Sequence, residues 1–90
     1  MASREVSICN KLGMHARAAS KLVDCANRFQ ASVSVSYRER TVNGKSIMGV
    51  LMLAAAKGAT IRLETEGPDA DEAMEALAGL VDSGFGELGE

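Results

Sequence analysis

The 90-residue chain reads as an α+β protein: a two-layer, open-faced sandwich in which helices cover one face of an antiparallel sheet. Three observations predict it. Three stretches alternate apolar and polar residues with a period of two, which is the mark of strands with one covered and one wet face. Three further stretches carry the helical period. They follow one another as strand, helix, strand, strand, helix, strand, helix, and 90 residues suffice for one core but not for two. A single domain over residues 1–90 is therefore expected, without linker, repeat or low-complexity tract.

The first strand is marked by Val6 and Ile8, which point the same way. From Ala16 to Phe29, Ala19, Leu22, Val23, Ala26 and Phe29 recur at helical spacing, while Arg17, Lys21, Asp24 and Arg28 fall opposite, so an amphipathic helix is predicted. Ser32 to Tyr37 sets Val33, Val35 and Tyr37 against three serines, and a tight turn at Arg38-Glu39 leads to a weaker strand over Arg40 to Asn43. Ile47 to Ala56 is apolar nearly all round, with Ser46 as its N-cap and Lys57-Gly58 as its stop. Thr60 to Glu66 alternates Ile61, Leu63 and Thr65 with polar residues. After Gly67-Pro68, Asp69 is expected to cap a last helix, with Glu72 completing a capping box and Met74, Leu77, Leu80 and Val81 facing inward. Gly84, Gly86 and Gly89 suggest a frayed tail.

Composition removes several function classes. No apolar run approaches the roughly 20 residues of a membrane span, and Met1 to Cys9 is too polar for a signal peptide, so a soluble, cytoplasmic protein is expected. Three aromatic residues, Tyr37, Phe29 and Phe85, supply little for stacking nucleic-acid bases. Cys9 and Cys25 fit neither a zinc site nor a C-x-x-C redox pair and are read as free thiols. The net charge of -2 conceals an asymmetry: residues 1–62 hold all ten basic residues and three acids, whereas residues 63–90 hold nine acids and no base. The positive segment is expected to form a docking face and the last helix to lie away from it.

The single histidine carries the most chemistry. His15 directly precedes the first helix, whose unbonded N–H groups and dipole favour an anion such as a phosphoryl group. A neutral imidazole is a competent nucleophile. Arg17 adds a permanent planar cation that grips phosphate oxygens through two N–H groups. The plainer reading of His15 is a surface helix cap or a lone metal contact. Asn43-Gly44-Lys45-Ser46 resembles the end of a nucleotide-binding P-loop, but the glycine required five residues before Gly44 is Glu39, so the match fails. Ser46 is either a simple N-cap or a phosphorylation site whose added charge would repel acidic partners. Met14, Met48 and Met52, with Ile47 and Leu51, supply either an adaptable contact surface or core packing. The acids from Glu64 to Glu75 form no acid–base pair and read as a solvated face.

The stretch Gly13-Met14-His15-Ala16-Arg17-Ala18-Ala19 resembles the phosphohistidine motif of the HPr family, small phosphocarriers of the bacterial phosphoenolpyruvate phosphotransferase system. Lys45-Ser46-Ile47-Met48-Gly49-Val50 resembles the family's second motif, around its regulatory serine. The likeness runs from about Glu5 to Phe85; Asn10 to Arg17, Leu51-Met52-Leu53 with Ala56-Lys57-Gly58, and Ser83-Gly84-Phe85 look closest to the nitrogen-related branch called NPr. The resemblance implies a four-stranded antiparallel sheet with three helices on one face. It also implies a relay rather than an enzyme with its own small-molecule substrate, needing no cofactor and no metal. His15 would take a phosphoryl group on Nδ1 from enzyme I and pass it to an enzyme IIA type acceptor, with Arg17 and the first-turn N–H groups of Ala16 and Arg17 holding the phosphoryl oxygens, to which this chain's Ala18 adds a further N–H donor. Ser46 would be the target of HPr kinase/phosphorylase where that enzyme exists. The partner surface would comprise Met14, Ala16, Lys21, Lys45, Ile47, Met48 and Met52 on a monomer that binds neither nucleic acid nor membrane. Where the family usually has proline, this chain has Ala18, and Asp24 and Asn27 stand where sugar-type members often carry lysine. The first rival is a docking module switched at Ser46 without any relay; the second is a nucleic-acid-binding domain using the positive segment. Sugar uptake and nitrogen regulation both remain open as the downstream path.

Overall fold

The structure, a computed structural model, describes residues 1–86. Its elements are β1 (Ala2–Ser7), α1 (Ala16–Ala26), β2 (Ser32–Tyr37), β3 (Arg40–Asn43), α2 (Ile47–Met52), β4 (Thr60–Glu66), α3 (Ala70–Asp82) and a 3-10 turn at Gly84–Gly86. The strands form one antiparallel sheet in the order β1-β4-β2-β3. Register follows from the alternation: Val6 lies opposite Ile61, and Val35 opposite both Leu63 and Val42. These residues face the helices, and Val6, Val35, Ile61 and Leu63 are buried there with Ile8 and Val33. Ser34, Ser36, Arg62 and Glu64 occupy the other face, where no helix of the described residues packs.

The covered face receives α1 through Ala18, Ala19, Leu22, Cys25 and Ala26, and α3 through Met74, Leu77, Ala78 and Val81. The small residues of α1 let it approach both α2 and α3 closely. Cys9 and Cys25 are free thiols, and burial pushes the Cys25 thiol up despite the nearby Arg28 charge.

Four features differ from the sequence pattern. First, α1 stops at Ala26 instead of Phe29, because the chain tightens into turns through Arg28 N–H to Cys25 O and Phe29 N–H to Ala26 O. Second, Asp69 stands before α3 but makes no capping bond to it; its carboxylate instead accepts the Gln30 N–H at 2.9 Å and the Ala31 N–H at 2.8 Å. The capping box with Glu72 is thereby replaced by a clamp between the exit of α1 and the entry of α3. Third, α2 ends at Met52, four residues before Ala56. Ala54 turns left-handed at φ 52°, and the Ala55 carbonyl is taken by the Met14 N–H at 2.9 Å.

Fourth, the expected frayed tail is ordered through Gly86. Phe85 is fully buried at φ 57°, and Lys21 Nζ donates to its carbonyl at 2.6 Å. Gly89 lies outside the described residues. This contact also orients α3. Its first turn is tied to Gln30 and Ala31, beyond the end of α1, while the residues after it reach Lys21. The two helices therefore run antiparallel, and Asp69, Asp71, Glu72 and Glu75 begin at the end of α1 remote from His15. The charge halves are not wholly separate, since Arg4 of the positive segment bonds Glu75 at 2.6 Å.

Candidate functional site

The site is built by a turn that cannot be closed without glycine. Asn10 is fully buried, its Nδ2 donates to the Gly13 carbonyl at 2.8 Å, and the Gly13 N–H returns to the Asn10 carbonyl at 3.2 Å. Gly13 adopts φ +69°, and a Cβ there would come within 2.7 Å of the Ala55 carbonyl oxygen. Only a hydrogen atom fits between the two loops. The turn delivers His15 in extended geometry, φ −83° and ψ 179°, as the N-cap of α1. Its carbonyl accepts the Ala19 N–H at 2.8 Å, and its Nδ1 accepts the Arg17 N–H at 3.2 Å.

That last bond fixes the chemistry of the ring. A nitrogen that accepts an N–H carries its lone pair outward, so in the neutral imidazole the proton resides on Nε2. Nδ1 is then the nitrogen whose lone pair faces the positive end of the helix. The N–H groups of Ala16 and Ala18 make no hydrogen bond to a described residue, so the first turn retains donors beside Nδ1. The Arg17 side chain is exposed and forms no ion pair among the described residues. An imidazole nitrogen, first-turn N–H groups and a guanidinium-bearing residue thus fall within four consecutive positions. The plain reading of His15 as a helix cap describes this geometry.

The anticipated partner surface is only partly assembled. Ile47, Met48 and Met52 are exposed at 40%, 67% and 59%, which is unusual for side chains of this size. Met14 is a correction: at 5% exposure it belongs to the buried core, and its N–H is bonded to the Ala55 carbonyl. Lys45 is another. Its Nζ donates to the Phe29 carbonyl at 2.7 Å, which ties the ammonium to the far end of α1 instead of beside His15. The Lys21 ammonium is likewise held by Phe85, whereas Ala16 is exposed next to the histidine. Ser46 caps α2, its hydroxyl accepting the Gly49 N–H at 3.3 Å. Leu51 is half-buried against the core. Leu12, at 70% exposure, had no periodic signal to betray it; the glycine turn after it leaves the side chain outside. Asn10 was equally invisible, being an isolated polar residue whose burial depends on the turn it closes.

The family model for the phosphorylation site of the HPr component of the phosphotransferase system matches residues 2–83. The chain belongs to the HPr family of phosphocarrier proteins. The phosphocarrier protein HPr of Cupriavidus necator is 53% identical over 87 residues, covering 97% of this chain and 98% of that protein. The phosphocarrier protein NPr of Shewanella violacea is 46% identical over 84 residues, covering 93% and 92%. Among solved structures, an HPr from Thermoanaerobacter tengcongensis superimposes with a TM-score of 0.93 at 40% identity, covering 97% of this chain and 98% of that one. An HPr-family member with the HPr fold, the protein is a phosphoryl carrier of the phosphotransferase system, and names from both the HPr and NPr branches occur among its relatives.

Proposed function

We propose that the carrier step runs through Nδ1 of His15, with enzyme I, charged by phosphoenolpyruvate, as donor and an enzyme IIA type protein as acceptor. The observation that carries this reading is the Nδ1 lone pair lying on the Arg17 N–H at the N-terminus of α1. In the forward step the lone pair attacks phosphorus. The N–P bond forms as the donor's bond to phosphorus breaks, and that electron pair stays with the donor. The Arg17 N–H, no longer able to bond Nδ1, turns to a phosphoryl oxygen, joined by the Ala16 and Ala18 N–H groups. The Arg17 guanidinium closes over two further oxygens. Transfer to the acceptor reverses each movement.

Such a relay suits a cytoplasmic monomer of one domain, which must meet two large partners quickly and hold neither. Exposed Leu12, Ile47, Met48 and Met52 supply a soft apolar contact that adapts to both. Ser46 stands at the edge of that contact, beside Ile47. A phosphoryl group placed on its hydroxyl by a kinase of the HPr kinase/phosphorylase type would put negative charge against acidic partners. The docking-only alternative leaves the orientation of Nδ1 without a purpose, so the relay is preferred.

The test is incubation with phosphoenolpyruvate and enzyme I. An acid-labile phosphoryl adduct is expected on the wild-type chain and none on His15→Ala. An adduct that persists in His15→Ala removes His15 from the role.

A further inference from the structure

The early end of α2 leaves part of the sheet uncovered. Six residues span about 9 Å, so α2 stops short of the β2–β3 turn. Between that turn and the chain after α2 runs an open groove of about 960 Å³, with Tyr37, Arg38, Glu39 and Arg40 on one bank and Met52, Leu53 and Ala54 on the other.

Both arginines are held in place without being neutralised. Arg40 pairs with Tyr37 in the β2–β3 ladder and so shares the helix-covered face with Val35 and Val42. There its Nη1 donates to the Met52 carbonyl at 3.0 Å, which uses one of five guanidinium donors. The Arg38 guanidinium lies 5.2 Å from the centre of the Tyr37 ring. Arg4 and Arg62 each pair with a carboxylate, but neither Arg38 nor Arg40 forms an ion pair among the described residues; Glu39, between them at the turn, is exposed and also unpaired there. The groove moreover adjoins the exposed apolar contact. Met52 belongs to both the exposed apolar contact and the groove, and Ala54 adjoins Ala55, whose carbonyl holds Met14. A protein that covers His15 and Met52 comes to rest on the edge of the groove.

We propose that this groove seats an acidic segment of the phosphoryl donor, whose carboxylates pair with Arg38 and Arg40 and thereby set how tightly the carrier docks. The proposal rests on the relay through His15. The shallow open shape suits an extended segment of a protein better than an enclosed small molecule. Two planar guanidinium forks on one bank match carboxylates in side-on pairing. Because the groove lies outside the reacting atoms, its effect falls on association and not on the chemical step.

The experiment is steady-state phosphorylation of the chain by enzyme I and phosphoenolpyruvate, for wild type, Arg38→Glu, Arg40→Glu and the double variant. Charge-neutral Arg38→Gln and Arg40→Gln, with thermal midpoints for all, separate docking from folding. The expected result is a KM for the carrier raised about three- to tenfold in the double reversal, with kcat unchanged and the salt dependence of kcat/KM flattened. The glutamine variants should fall between, with midpoints near that of the wild type. A wild-type KM in a folded double reversal overturns the proposal. Titration with inorganic phosphate forms a second arm. Saturable shifts of the Arg38 and Arg40 Nε–H signals without any change in KM would make the groove a small-anion site, which also overturns it. Failure of the relay itself is distinguishable, because the wild-type chain would then take no phosphoryl group at all.

Discussion

Replacing Gly13 by alanine tests the physical link between the glycine turn and the histidine. The backbone at φ +69° would place an L-residue in the left-handed region, costing roughly 1–2 kcal/mol. The new Cβ would stand 2.7 Å from the Ala55 carbonyl oxygen and 2.9 Å from Ala56 Cα, both backbone atoms, so the loops must part. Parting them stretches the Met14 N–H to Ala55 O bond, worth about 0.5–1.5 kcal/mol. The expected loss is about 2–3 kcal/mol, a large fraction of the roughly 5–15 kcal/mol that holds a domain together. At about 4–8 °C per kcal/mol for a chain of this size, the thermal midpoint should fall by about 10–20 °C. Far-ultraviolet circular dichroism follows the transition, and phosphorylation below the midpoint reads the displaced His15 as a reduced kcat. A midpoint within about 2 °C of wild type would refute the claim that only glycine fits between the loops.

Three further outcomes are expected. Ala54→Gly relieves left-handed strain at an exposed position whose side chain packs on nothing in the core; with the added unfolded-state entropy set against it, a net gain of about 0.5–1 kcal/mol should appear in urea titration. Ala18→Pro removes an N–H that bonds no described residue, so stiffening the first turn should raise stability by about 0.4–1 kcal/mol, read as a higher thermal midpoint. Asp69 titrates below the usual carboxylate range, chiefly because the Gln30 N–H donates to it, with the Ala31 N–H and Lys45 assisting against partial desolvation. Its stabilisation is therefore complete above the unfolded carboxylate value and is lost as pH falls through the lowered folded value. Asp69→Asn should flatten that acid limb and lower the midpoint at neutral pH; an unchanged acid limb would show that the clamp adds nothing.

The strands were legible because alternation is a local signal: Val33, Val35 and Tyr37 against three serines leave one register that buries the right face. The site was legible for a related reason, since His15, Arg17 and the helix start lie within a few residues of one another. What escaped depends on partners far along the chain. The end of α2 is set by Gly13 and Met14, about forty positions upstream, which claim the backbone at Ala55 and Ala56. Asp69 looked like a cap because a carboxylate before a helix usually is one, but two N–H groups at the exit of α1 compete for it and win. Phe85 and Lys21 close the tail onto α1 across more than sixty positions. Met14 and Lys45 were misplaced by the same blindness: neighbours in sequence to the motifs, they are directed elsewhere by contacts that no periodicity records. The groove beside Arg40 exists only because α2 is short.

The central claim is that Nδ1 of His15 carries the phosphoryl group. The most direct measurement is phosphorus–nitrogen coupling in the nuclear magnetic resonance spectrum of the chain labelled with 15N in its single histidine, after charging by enzyme I and phosphoenolpyruvate. Coupling to Nδ1, with a proton retained on Nε2, is the result the geometry predicts. Coupling to Nε2, or a charged protein whose histidine signals do not change, would contradict it.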